Sequence, residues 1–176
     1  MQPRIRLLRS FDQRSHNYLG YLLRVNGMID DEARTFTVGI GKAAQAKHEF
    51  QAGDEAQGEC LPVADARKEP VEFYKVSKLK VLERALDVEI GKEPPPWLGI
   101  PPELEIYRHR GHRRLAARTY SSKCTSCLWG CRMPVEITID HWNPGPKRYR
   151  FETFCYGPKS CPNYKAGPQR NVPGRQ

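Results

Sequence analysis

KCTSCLWGCRMPVEITIDHW, residues 123–142, and YRFETFCYGPKSC, residues 149–161, decide how the C-terminal part of the chain folds. Each joins cysteine-bearing turns to a run with the alternation of a strand: Val135 to Ile139 reads Val-Glu-Ile-Thr-Ile, and Tyr149 to Phe154 answers it. Asn143-Pro144-Gly145-Pro146 between them supplies turn chemistry, so the two runs predict a β-hairpin. Pairing them brings Cys124, Cys127 and Cys131 to the same end as Cys155 and Cys161. Two intervening residues let Cys124 and Cys127 reach a single ion, and Cys155 with Cys161 completes a tetrahedral set of thiolates suited to Zn²⁺. Cys131 is the spare, or an alternative ligand in place of Cys127. A third arrangement, three cysteines of the first group with one of the second, would hold an iron–sulfur cluster.

How cysteines are read depends on the compartment. The longest apolar run near the start, Tyr18 to Leu23, is interrupted by Gly20 and falls far short of the roughly twenty residues that span a bilayer. The opening MQPRIRLLRSFDQRSH is basic and lacks the apolar core and small-residue site of a secretory signal, so a cytoplasmic location is expected. Thiols stay reduced there, and a cluster of five reads as metal-binding rather than disulfide-bonded. Cys60, alone in GECLPV, is expected to be a small buried apolar residue. Fifteen prolines and fourteen glycines among 176 residues predict many turns and little helix.

Over about residues 118 to 164 the two cysteine turns flanking a hairpin resemble a zinc ribbon, in which a tetrahedral Zn²⁺ replaces the core that so short a segment cannot build. The second pair departs from the usual spacing: it is separated by five residues, not two, and the gap from Cys127 to Cys155 is long. A fully thiolate site leaves no coordination position for water, so the resemblance implies a structural metal and no hydrolysis. The run CYGPKSCPNYKAGP is also similar to one found in uncharacterised bacterial proteins, which implies no activity.

The N-terminal part has a different pattern. Tyr18 to Val25 reads as a strand, Asn26-Gly27 and Asp30-Asp31 supply turns, and Thr35 to Ile40 reads as a second strand. KAAQAKHE after Gly41 favours a short helix, Gly53-Asp54 turns the chain into a strand over Ala56 to Val63, and Val71 to Val76 makes another. From Lys78 to Ile90 the pattern fits either a continued strand or a helix bearing Leu79, Leu82 and Leu86 on one face. Short strands with one helix between them make this region similar to an OB-fold, a small five-stranded barrel of a kind that binds single strands or oligosaccharides. Five prolines within Gly91 to Glu103 make that segment stiff and extended. The expected organisation is mainly β: an OB-like barrel over residues 1–90, a Pro-rich linker over 91–103, a basic Cys-rich zinc-ribbon-like module over 104–166, and a flexible basic tail over 167–176.

Charge divides the chain in the same way. Residues 1 to 104 carry 15 Lys/Arg against 16 Asp/Glu, whereas residues 105 to 176 carry 14 against 4. A segregated excess of about ten positive charges, mostly arginine, suits phosphate backbones, whose neutralisation releases counterions. Aromatic side chains among these cations would stack on unpaired bases. The candidates are Arg110, Arg113 and Arg114 in YRHRGHRR, Trp129 with Arg132, and Lys147, Arg148, Tyr149 and Arg150. His141 is a further candidate metal ligand, and His109 and His112 are expected in a solvated basic loop. Single-stranded DNA or RNA is therefore the leading partner; a redox protein built on the cysteines and an adaptor for an acidic protein are the alternatives. The sequence contains no Walker loop, dinucleotide-binding glycine pattern, HExxH or GxSxG, and hence no recognisable catalytic machinery.

Overall fold

The computed structural model describes residues 2–7, 16–86, 94–137 and 145–168, and the chain is mainly β. Strand β2 (His16–Ile29) and strand β3 (Glu32–Ile40) form a long antiparallel hairpin, in register from Tyr21↔Ile40 to Ile29↔Glu32. The chain reverses at Asp30-Asp31, whose φ values of 47° and 64° are the left-handed pair that a two-residue loop needs to match the strand twist. Asn26-Gly27, expected to supply turn chemistry, instead runs inside the ladder opposite Thr35 and Arg34. Asn26 accepts a 2.7 Å hydrogen bond from the Thr35 hydroxyl there.

Strand β1 (Gln2–Leu7) lies on the other side of β2, with a bulge between Arg4 and Ile5. Gly20 sits at this irregularity with φ +133°, and a Cβ there would stand 2.0 Å from the Ile40 carbonyl oxygen. Only glycine admits so close a backbone approach. Helix α1 (Lys42–His48) follows β3, then β4 (Glu55–Pro62) and β5 (Phe73–Glu83) pair antiparallel. β5 continues through Lys78 to Glu83, so the stretch readable either way in sequence is strand up to that point. Lys75 and Lys78 take positive φ, and Val76, Leu79 and Val81 all pack against the core while Leu82 and Leu86 stay exposed.

Strand β7 (Gly130–Ile137) and strand β8 (Arg148–Cys155) form the hairpin expected of the cysteine-rich region, paired from Gly130↔Cys155 to Ile137↔Arg148. The Asn143-Pro144 part of its turn, with His141, lies outside the described residues. Strand β6 (Arg113–Arg114) adds to the free side of β8. The full strand order is β4-β5-β3-β2-β1-β7-β8-β6, with β3–β5 and β1–β7 joined in parallel at single residue pairs. The barrel expected over residues 1–90 is therefore not closed: among the described residues β4 stands at one end of the order, away from β1.

Helix α2 (Leu104–Arg110) occupies residues expected to begin a solvated loop. Its three arginine and histidine side chains obscure an i, i+3 pair, Leu104 and Tyr107, that is buried, and they suit the negative end of the helix dipole. Tyr107 joins Tyr21, Ile40 and Phe50 from the first part of the chain, and Cys131, Met133, Val135, Phe154 and Tyr156 from the hairpin, in one hydrophobic core. The proline-rich segment is strapped down from both sides: Tyr21 donates its hydroxyl to the Pro102 carbonyl at 2.9 Å, Pro101 is buried, and Leu128 N–H donates to the Trp97 carbonyl at 2.9 Å.

Candidate metal centre

Each of the four paired cysteines is delivered by a tight backbone feature. A helical turn over Ala117–Thr119 runs into a π-helical turn, Tyr120–Cys124, which ends on Cys124. Cys127 N–H then donates to the Cys124 carbonyl (3.2 Å) and Gly130 N–H to the Cys127 carbonyl (3.0 Å), so the chain folds back on itself and enters β7. Cys155 is the last residue of β8, opposite Gly130 on one side and Arg113 on the other. Beyond it, Cys161 N–H donates to the Pro158 carbonyl (3.2 Å) and Tyr164 N–H to the Cys161 carbonyl (3.1 Å). The chain then runs beside residues 114–116, tied by Ala116 N–H to the Lys165 carbonyl and by the Tyr164 hydroxyl to the Arg114 carbonyl.

Cys124, Cys127 and Cys155 are buried in a compact cluster with Leu115 and Tyr120, covered by Trp97, Trp129 and Tyr164, and Cys161 is half-buried. The Cys124 thiol is pushed up to about 11, first by burial and then by Cys127, Cys155 and Cys161, each of which would repel a thiolate at that position. The three other cysteines thus lie within electrostatic reach of Cys124. Burial also raises Cys127, against the pull of backbone N–H groups from Trp129, Trp97 and Gly130 on its sulfur. Gly157 N–H donates to the Cys155 sulfur at 3.3 Å. A dication among the sulfurs would invert the mutual repulsion of their thiolates. Among the described residues, no group of three or more His, Cys, Asp or Glu side chains is placed so that it could hold a metal ion. Cys124, Cys127 and Cys155 share one buried cluster, and their soft sulfur donors are of the kind that suits a thiophilic dication.

Cys131 is separated from this cluster by strand parity. Gly130 faces Cys155 across the hairpin, so Cys131 projects from the opposite face, where it is fully buried among Tyr107, Met133 and Phe154. Cys60 is half-buried, not fully buried as expected, on β4 at the far end of the strand order. His112 packs edge-on against Phe154 at 5.0 Å, and His109 is exposed on α2.

The basic residues singled out in the sequence are largely engaged by the protein itself. Arg110 lies 4.4 Å over the Trp129 ring and donates to the Tyr156 carbonyl at 2.8 Å. Arg113 donates to the Gly157 and Pro158 carbonyls and lies 4.0 Å over Tyr164. Arg114 and Arg150 share the buried carboxylate of Glu152. Arg132 lies 4.0 Å over Phe151, Lys147 pairs with Glu136 at 3.5 Å, and Tyr149 has Lys68 and Arg67 near its ring at 5.6 Å and 6.0 Å. The interleaving of cations and aromatics is thus used internally, each ring already facing a cation. Arg132, Lys147 and Arg148 are nevertheless exposed, as are Arg118, Lys123, Lys159 and Lys165, which the aromatic criterion had passed over.

Among the described residues no helix is long and apolar enough to cross a membrane. Comparison with protein-family models, curated proteins and solved structures finds no match to the chain.

Proposed function

We propose that Cys124, Cys127, Cys155 and Cys161 hold one structural Zn²⁺, and that the basic region so stabilised binds single-stranded DNA or RNA without catalysis. The observation that carries the metal reading is that Cys124, Cys127 and Cys155, from two separate turns, are buried in one cluster, with Cys161 half-buried on the loop that follows Cys155. Protonated thiols crowded in this way gain nothing from one another, whereas a dication shared among thiolates turns the crowding into binding energy. The four-sulfur set also completes coordination, which is why the centre is structural. Cys131 favours a single ion over a cluster held by three cysteines of the first group, because it would have to leave the core to serve as a ligand.

The nucleic-acid reading rests on charge. The excess of residues 105 to 176 is not consumed by the internal contacts: Arg118, Lys123, Arg132, Arg148, Lys159 and Lys165 are exposed. Phosphate contacts by such a surface give affinity that falls steeply with salt. The order β1-β2-β3-β5-β4, with α1 between β3 and β4, is compatible with an open OB-like arrangement, a kind of fold that engages single strands. The test is binding of the zinc-loaded protein to fluorescent oligonucleotides of DNA and RNA at increasing salt. Binding at low salt that weakens log-linearly as salt rises supports the reading; absence of binding at low salt, or affinity indifferent to salt, overturns it.

A further inference from the structure

We infer that Arg113 is the positioning residue of the thiolate centre, bracing the long Cys155–Cys161 loop and offsetting its charge; this rests on the metal reading above. The two cysteine turns are unequal. Cys124 and Cys127 are separated by two residues and held by their own backbone turn, with Cys127 N–H on the Cys124 carbonyl. Cys155 and Cys161 are separated by five, and the turn bond that Cys161 N–H makes goes to the Pro158 carbonyl, not back to Cys155. Arg113 provides the external brace. It is paired with Cys155 across β6 and β8, so its side chain starts beside that sulfur on the same face.

From there one guanidinium nitrogen, Nη2, donates to the Gly157 carbonyl (3.1 Å) and the Pro158 carbonyl (2.8 Å) and lies 3.8 Å from the Cys155 sulfur. The guanidinium carbon lies 4.0 Å from the ring centroid of Tyr164, which follows the second cysteine and donates its hydroxyl back to the Arg114 carbonyl. Gly157, whose carbonyl Arg113 holds, is the residue whose N–H reaches the Cys155 sulfur at 3.3 Å. One side chain therefore fixes the residue that orients a ligand, the turn that leads to the next ligand, and the ring beyond it. A dication held by four thiolates has a net charge of about −2, and a fixed guanidinium at the sulfurs offsets part of it. Lysine cannot substitute, since a compact ammonium lacks the planar fork and the stacking surface.

The experiment titrates Co²⁺ into the metal-stripped full-length protein and into Arg113→Lys, Arg113→Met and, as control, Arg108→Met, whose guanidinium lies over Tyr18. Affinity is read by competition with a chromophoric chelator, and geometry by the sulfur-to-cobalt charge-transfer bands. The expected result is one tetrahedral Co²⁺ in the wild type and in Arg108→Met, with both Arg113 variants binding about tenfold to a hundredfold more weakly and with altered bands. A purely structural role would lower metal-free stability yet leave the bands and affinity in place, which overturns the inference while the metal reading stands. A wild type that takes up no Co²⁺ overturns both. If the Arg113 variants do not fold, Tyr164→Leu removes the ring under the guanidinium; at least a threefold loss of affinity supports the inference and an unchanged affinity overturns it.

Discussion

Replacing Glu152 by glutamine removes the carboxylate that two arginines share. Its Oε2 accepts from Arg114 Nη1 and its Oε1 from Arg150 Nε, and its side chain is 4% exposed, against 13% for Arg114 and 28% for Arg150. Taking one partner from a buried ion pair leaves the other charge desolvated and typically costs about 3–5 kcal/mol. Arg150 retains some solvent, which screens the loss, so the lower end of that range, about 3 kcal/mol, is expected. The comparison is Glu136→Gln, which breaks the 3.5 Å pair with Lys147. The lysine end there is 68% exposed, and a surface pair of that kind is worth at most about 1 kcal/mol. For a chain of this size a kcal/mol moves Tm by about 2–4 °C, so Glu152→Gln should lower it by about 6–12 °C and Glu136→Gln by no more than about 4 °C. Urea and thermal unfolding of the metal-loaded proteins, followed by circular dichroism, measure both. A Glu152→Gln loss no larger than that of Glu136→Gln would refute the claim that this triad is a buried electrostatic tie.

Gly20→Ala should be among the most damaging small changes, costing at least about 2 kcal/mol, because it combines a positive φ with backbone contact at Ile40; Gly41→Ala, where nothing lies within 4 Å of the added carbon, is the control for thermal unfolding. Cys131→Ala should keep the full metal stoichiometry at a modest stability cost, whereas Cys127→Ala should lose the metal, as elemental analysis of the purified variants would tell. In metal-free protein the ordinary thiol value near 9 is raised to about 11 at Cys124, so the unfolded chain ionises first. Its stability should be intact below about pH 9 and decline as pH rises towards 11, read as a falling urea midpoint in chelator; a rising midpoint would contradict it. Neutralising Arg132 and Arg148 together should weaken oligonucleotide binding at every sequence and reduce the salt slope by about 1.5 in log–log units.

Much of the local structure is legible in the sequence because it depends on near neighbours. The alternation of Val135 to Ile137 and of Tyr149 to Phe154 marks β7 and β8, and Asp30-Asp31 closes the first hairpin because aspartate tolerates the left-handed conformation. Helix α2 is obscured because Arg108, His109 and Arg110 look like a solvated run, although the spacing of Leu104 and Tyr107 carries the signal. The place of Cys131 follows from register, a single-residue matter that no motif spacing records: with Gly130 opposite Cys155, its neighbour must face the other way. The openness of β1–β5 and the sharing of one core by Tyr21 and Phe154 depend on long-range pairing, which composition and linker signals do not encode. The internal use of Arg110, Arg113 and Arg114 was likewise hidden, since an arginine pairs with a phosphate or with its own carbonyls and carboxylates through the same forked donors.

X-ray absorption at the zinc edge, on protein purified from cells without added chelator, bears most directly on the metal. The expected spectrum is that of one zinc per chain surrounded by four sulfurs at about 2.3 Å. Protein that carries no zinc as purified, or zinc whose neighbours are nitrogen and oxygen atoms, would contradict it.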